Sequence, residues 1–524
     1  MKKTVLIFSL VLLISSCKES AKVRIERDIL IIPRPREISF FEGTFEMTEN
    51  TSIKVGKELI TSAEQLRDYL CPASGYLLPV NKSVPGGNTI ELVIKDDLSS
   101  LGKEGYKINI SDKKVLISAY TQQGIFWGIQ TLRQLLPQEI LRKAATDITK
   151  WSLPCAEIAD QPRFKWRGLM IDYSRTFWNK HITEKYIDAI SFYKMNKLHM
   201  HLTDDQGWRL QIDNLPLLTE KASKFDTIYH EPGEREGFYS KEDIRELVRY
   251  AEARNVELIP EIEMPGHSLA ILAAYPHLSC TGDTFSIHPY GKGPGVHEEI
   301  LCAGKDETFE FIEKVLDEVI ELFPSEYVHI GGDEAPKVNW KKCPDCQRVM
   351  KENGLKTEED LQSWFVRRVE KYLNSKGKKL IGWDEITEGG LSNTATMMFW
   401  RGWKTDALST ALNQGNNVIL SPTSHCYFDY TYETISVEKV YSYEPLPDSL
   451  QNIQPDQILG VQANFWSHIN RDEPGMDRQI FPRLLALAEV GWNEGDIKNW
   501  NDFSNKLKHH YKSLELLDIY YMRK

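Results

Sequence analysis

From Arg163 onward the chain alternates strand-like and helical stretches, a pattern that admits very few architectures. The strand-like runs are Gly168–Tyr173, Lys197–Leu202, Val256–Ile262, Tyr327–Ile330, Lys379–Trp383, Ala395–Trp400, Asn417–Leu420 and Ile458–Phe465. Helical spacing of apolar residues marks Thr183–Met195, Ser240–Arg254, Thr308–Leu322, Glu358–Ser375 and Asp406–Gln414 between them. In the second of these, Ser240 and Asp243 have the spacing of a capping box, and Ile244, Leu247, Val248 and Ala251 line one face. Eight strands in roughly 330 residues, most of them separated by helical stretches, predict a closed (β/α)8 barrel. An open doubly wound sheet is the rival, but no G-x-G-x-x-G or phosphate loop follows any of the strands.

Ahead of the barrel, residues 18–160 read as a smaller mixed α/β domain. Its strands are expected at Thr51–Val55, Thr89–Ile94, Tyr106–Ile110 and Val115–Ala119, with a helix over Gln122–Leu136. Pro154 and Pro162 suggest a hinge into the barrel, which is expected to occupy 161–498. A tail over 499–524 is predicted helical at Phe503–Leu517. Residues 1–17 read as a lipoprotein signal peptide: Met1-Lys2-Lys3, a short apolar run, then Leu13-Ile14-Ser15-Ser16-Cys17. That ending resembles a lipobox, which implies lipidation at Cys17 and a place in a bacterial cell envelope, periplasmic or on the cell surface. Contact with membrane would then run only through the lipid anchor.

A formal charge of −11 without a basic stripe argues against nucleic acid as a partner. Thirteen Trp and 22 Tyr supply flat faces suited to sugars. Beyond Cys17 stand Cys71, Cys155, Cys280, Cys302, Cys343, Cys346 and Cys426. Cys343-Pro-Asp-Cys346 closes a tight loop, and Cys280 and Cys302 bracket a Gly/Pro-rich one, so each pair is expected to form a disulfide staple. Zinc at Cys343/Cys346 is disfavoured, because no second C-x-x-C or His pair lies nearby in sequence.

A barrel collects its chemistry just after the C-terminal ends of its strands. There the sequence places Ser174-Arg175, Asp204-Asp205, Glu261 to His267, Asp333-Glu334, Trp383-Asp384-Glu385, Trp400-Arg401, His425 to Asp429 and Trp466-Ser467-His468. The carboxylates point to acid/base work on a bond whose leaving group needs a proton, as in glycoside hydrolysis. Asp333 and Glu334 are adjacent, however, and neighbouring strand residues point to opposite faces. Either the second group comes from elsewhere, or the substrate carries its own nucleophile. His199-Met200-His201 raises a metal-dependent amidohydrolase as a rival, but no full ligand set accompanies it. Hydrogen-bonded histidines inside the barrel are the expected reading, with no metal and no cofactor.

Together these motifs resemble the β-N-acetylhexosaminidases of glycoside hydrolase family 20. The likeness runs from Ile32-Pro33-Arg34-Pro35 through Asp172-Tyr173-Ser174-Arg175, His199 to Trp208, Pro260 to His267, His329 to Glu334 and Gly382 to Glu385, to Gln462–Trp466 and Trp492. The resemblance implies exo-acting release of terminal β-linked N-acetylhexosamine, with the substrate's acetamido oxygen as nucleophile. By the same resemblance Glu334 is the general acid/base with a raised pKa, and Asp333 orients the acetamido N–H. Arg175 grips sugar hydroxyls, while Asp204 and His267 form a supporting pair near the acid. Trp383, Trp400 and Trp466 wall the sugar, and Tyr427 and Asp429 bond to the acetamido group.

One position departs from the family. His468 stands where it usually carries an acidic residue. A protonated imidazole there suggests a 6-sulfated terminal sugar, or tolerance of both gluco and galacto forms. A glycan-binding surface lipoprotein with weakened catalysis is the alternative from a different class, although Asp333, Glu334, Arg175 and Trp383 are all intact.

Overall fold

A computed structural model describes residues 22–82, 84–148, 150–225, 235–446, 454 and 456–523. Residues 1–17, read above as a signal segment, and Cys17 with them lie outside the described residues. Among the described residues no helix is long and apolar enough to cross a membrane.

The first domain is a seven-stranded sheet in the order 24–25, 37–47, 151–160, 106–110, 114–119, 89–94, 52–55. The helices Ile60–Ser74 and Gln122–Leu135 pack on it. Thr121 caps the second helix, its side chain accepting the Gly124 N–H. Two strands that the sequence does not announce, Glu37–Met47 and Trp151–Asp160, pair antiparallel along most of their length. Pro154 therefore sits inside a strand and not in a hinge, next to the register shift between Phe41 and Thr44.

Eight parallel strands close the barrel: Trp166–Asp172, Lys197–His201, Glu257–Glu261, Tyr327–His329, Lys379–Trp383, Thr396–Phe399, Val418–Leu420 and Ile458–Phe465. Each predicted run overlaps one of them, the first strand starting two residues earlier than expected. Helices Lys180–Phe192, Lys241–Glu252, Asp306–Leu322, Glu358–Ser375 and Thr405–Asn413 lie within a few residues of their expected spans. Ser240 and Asp243 form the expected capping box, and Thr357 with Asp360 forms a second.

The barrel lumen is divided by chemistry. Trp166, Ile259, Tyr327, Ile381, Trp383, Met398 and Ile419 make a buried apolar plug. Strand register sets Asp172 beside His201, His201 beside Glu261, and Glu261 beside His329 at the C-terminal ends of the first four strands. The upper layer is thus a polar ring resting on an apolar floor.

Buried polar bonds tie the two domains together. Asp160 accepts bonds from Tyr106 Oη at 2.5 Å, Lys194 Nζ at 3.0 Å and Trp492 Nε1 at 2.9 Å. Beside it Arg167 of the first barrel strand donates to Glu104 of the small domain at 2.7 Å. The tail is a helix over Trp500–Leu516, and it packs against both domains. Its His510 bonds to the Leu30 carbonyl at 2.8 Å and to Tyr193 Oη at 3.2 Å, while Phe503 stacks on Tyr441.

Candidate active site

The fourth barrel strand ends at His329, and the chain then turns through Gly331 and Gly332, both at positive φ (68° and 90°). A side chain at 331 would meet the Glu263 carboxylate at 1.6 Å, so only glycine fits there. This turn corrects the expectation that Asp333 and Glu334 point apart as strand neighbours. They lie in a loop, Glu334 at φ 39°, and His267 Nε2 faces both: 3.7 Å from Asp333 Oδ2 and 3.5 Å from Glu334 Oε2. His267 itself sits at φ 45°. Such left-handed non-glycine backbone is characteristic of functional sites.

Behind His267 runs an alternating chain of acids and imidazoles. Its Nδ1 lies 3.1 Å from Asp204 Oδ1 and 3.2 Å from Asp205 Oδ2. Asp204 Oδ2 is 2.9 Å from His201 Nε2, and His201 Nδ1 is 2.5 Å from Glu261. Glu261 also meets His199 at 3.1 Å and His329 at 2.8 Å, and accepts the Trp383 indole N–H at 2.9 Å. Both histidines of the His199-Met200-His201 motif are thus engaged with Glu261 inside the barrel. Burial opposes charge on His201 and His267, but Glu261 raises the first to about 10 and Asp204 holds the second well above its usual range. His199, buried with a weaker share of that carboxylate, falls to about 4. Against the cost of its own burial, Asp204 is held low by Arg175 and His267.

The two carboxyls of the loop are pushed in opposite directions. Burial raises Asp333 to about 6, opposed by His267. Glu334 is lowered, first by the hydrogen bond from His267. The raised value expected for Glu334 is therefore not found, because a protonated imidazole faces a side chain still 43% exposed. A sugar that covers Glu334 removes its water and favours the protonated acid.

Arg175 is stacked over Trp466, 5.0 Å from the ring centre. Its guanidinium bonds to Asp204 at 2.7 Å and to the Pro294 carbonyl at 3.0 Å, with Asp172 at 3.5 Å. Asp172 also accepts the backbone N–H groups of Ser174, Arg175 and Ser467 at 2.9–3.0 Å, joining the first and last strand ends. Trp383 and Trp466 have ring centres 6.0 Å apart, Tyr427 and Trp466 6.4 Å, and Trp400 stacks on Tyr427 at 6.0 Å. The four aromatic residues form one wall. Asp429 follows it, raised by burial to about 7 with Oδ1 buried and unpartnered. His468 is partly buried with Nδ1 unpartnered, and burial followed by the Arg175 charge lowers its pKa. That shift works against the protonated imidazole that a sulfate would favour.

The structure gives places to residues that the sequence lists at strand ends without assigning them a role. Glu261 is the hub of the polar ring. Glu263 is fully buried with neither oxygen bonded, and burial with Asp333 and Glu261 beside it pushes its pKa well up. Asp384 accepts the N–H groups of Trp400 and Arg401 at 3.0 and 2.9 Å, and Glu385 accepts the Trp400 indole N–H at 2.8 Å. Their signal in the sequence was position alone, one or two residues past a strand end.

The cysteine expectations need correction. None of the seven described cysteines is in a disulfide, and Cys280, Cys302, Cys343 and Cys346 converge in one cluster instead of two separate staples.

Comparison with known proteins agrees with this geometry. The model of the glycosyl hydrolase family 20 catalytic domain matches residues 164–495, and that of the family's domain 2 matches residues 28–161. A beta-hexosaminidase of Porphyromonas gingivalis is 40% identical over 97% of this chain, which spans 66% of that protein's length. The β-N-acetylhexosaminidase of Streptomyces coelicolor superposes with a TM-score of 0.84 at 32% identity, covering 96% of this chain and 98% of its own. An exo β-N-acetylglucosaminidase of Vibrio harveyi, solved with N-acetylglucosamine, gives 0.84 at 31%, covering 96% of this chain and 80% of its own. By fold, by its acid pair and by these matches along nearly its whole length, the chain belongs to glycosyl hydrolase family 20.

Proposed function

We propose that the protein is an exo-acting, retaining β-N-acetylhexosaminidase that releases terminal β-linked N-acetylhexosamine from glycans. The observation that carries this reading is the placing of Asp333 and Glu334 on one imidazole, beside a wall of three Trp and one Tyr. Two carboxyls gathered on one imidazole are poorly placed to face each other across a glycosidic bond, which supports a nucleophile supplied by the substrate. The 2-acetamido oxygen supplies it. Glu334 protonates the leaving oxygen as the acetamido oxygen closes on the anomeric carbon, then takes a proton from the incoming water. Asp333, ionised, accepts the acetamido N–H and stabilises the positive charge that grows there. The aromatic wall excludes water and shapes a slot for the methyl group and ring.

A substrate panel tests this. Aryl N-acetyl-β-glucosaminide and galactosaminide should turn over, an aryl β-glucoside lacking the amide should not, and a thiazoline mimic of the cyclised intermediate should inhibit tightly. Equal turnover of the glucoside ends the proposal. Because burial and Arg175 work against a charged His468, the unsulfated glucosaminide should match or exceed its 6-sulfated analogue at pH 7.

We also propose that Cys17 carries a lipid that tethers the enzyme to the cell envelope, on the strength of Leu13–Cys17. The full-length protein should partition with membranes, and Cys17→Ala should release it to the soluble fraction. Unchanged partitioning would refute the anchor.

A further inference from the structure

The cluster of Cys280, Cys302, Cys343 and Cys346 lies outside the catalytic machinery, and its shape is that of a metal cage. Their four sulfurs lie within 4.8 Å of one another. Contacts within the set are 3.6 Å for Cys302–Cys346, 3.7 Å for Cys302–Cys343 and 3.8 Å for Cys280–Cys346. A zinc ion with four thiolates at about 2.3 Å in tetrahedral array separates its sulfurs by about 3.8 Å. Bonded sulfurs lie only about 2.05 Å apart. Cys302 is shared almost equally between two neighbours, which suits a common centre and not pairwise bonds.

We propose that these four cysteines bind one structural zinc ion. Cys343-Pro-Asp-Cys346 has the two-residue spacing of a zinc knuckle, with Cys343 at the N-terminal end of the helix Pro344–Asn353. The second pair is assembled by backbone. Ser279 and Leu301 form an antiparallel bridge, and the Cys302 N–H donates to the Leu278 carbonyl at 2.8 Å, setting Cys280 and Cys302 side by side. The two halves meet at Gly304, where a Cβ would fall 2.3 Å from the Cys346 nitrogen. Cys302, Cys343 and Cys346 are buried and Cys280 partly so, a closed four-ligand site with no open position for substrate. Two cations clasp the same segments. Lys305 Nζ donates to the Ser279 carbonyl at 2.6 Å and Arg348 to the Gly304 carbonyl at 3.0 Å, which offsets the net negative charge of a four-thiolate zinc centre.

The position gives the ion a task. The segment between Cys280 and Cys302 contains Gly293 and Pro294, whose carbonyls accept Gln206, with Pro294 also accepting Arg175. The segment bearing Cys343 and Cys346 follows the loop of Asp333 and Glu334. Zinc would fasten the support of Arg175 to the element carrying the acid pair, a positioning role without contact to the reacting atoms.

Elemental analysis of the full-length enzyme after exhaustive dialysis should find about one zinc per chain. A mercurial titrant should release it as about four thiols react. Cys343→Ser with Cys346→Ser should lose most of the zinc and lower Tm, while Cys71→Ser, at a cysteine outside the cluster, should keep it. Wild-type metal content decides the matter even if the double variant does not fold. Zinc absent after refolding in its presence, iron in its place, or disulfides joining these four cysteines in peptide mapping would each overturn the assignment. None of these readings depends on activity.

Discussion

Replacing Glu334 by Gln is expected to lower kcat/KM on an aryl N-acetylglucosaminide by about 10²–10⁴-fold, the usual contribution of a positioned general acid/base. The loss should deepen as the leaving group becomes poorer, because an alkoxide needs the proton more than a nitrophenolate does. KM should move far less, since the aromatic wall and Arg175 remain. Steady-state kinetics on a leaving-group series checks this. A variant that keeps wild-type rates would remove Glu334 from the mechanism. Binding without turnover in both proteins would favour a lectin-like role.

Asp333→Asn is expected to cost about 10²–10³-fold in kcat, the scale of losing one preorganised electrostatic partner of a developing charge. Its pH behaviour is more distinctive. The wild-type carboxyl titrates near 6 in the folded protein, so kcat/KM should fall as pH drops through that value and Asp333 gains a proton. Stability follows the opposite sign. A folded-state pKa raised from 3.8 to about 6 means that folding favours the protonated form. That contribution is complete below the unfolded value and lost as pH rises through the folded one. Asn, which carries no charge, should therefore melt higher than wild type at pH 8, with the gap narrowing toward pH 4. Thermal melts across that range give the answer, and a gap that widens on acidification would contradict the burial argument.

Much of the fold was legible because the barrel repeats a local rule. Each strand is a short apolar run, so all eight announce themselves without tertiary information, and five of the helices between them show as apolar stripes. Glu37–Met47 and Trp151–Asp160 were hidden for a local reason. A register shift breaks the first, and Pro154, a strand breaker in any sequence-based reading, lies in the second. At the site, the gathering of strand-end residues was readable and their electrostatics was not. The depressed pKa of Glu334 depends on an imidazole 67 positions earlier, and that imidazole's charge depends on Asp204. Glu263 shows the same gap, its packing against Gly331 visible only in the folded chain. The cysteine cluster escaped for want of a second short motif. Cys280 and Cys302 become neighbours through a backbone bridge that no spacing rule anticipates.

The charge-lined seam between sheet and barrel makes the catalytic half a poor candidate for excision. A cut after position 160 would strip Lys194 of its counter-ion Asp160, Arg167 of Glu104, and the Trp492 indole of its acceptor. Stranding a cation in a dry interior is far costlier than losing a surface contact. Minimal versions for engineering or crystallisation should begin near residue 28, where the family's second domain begins to match, and should keep the closing helix whose His510 reaches Leu30.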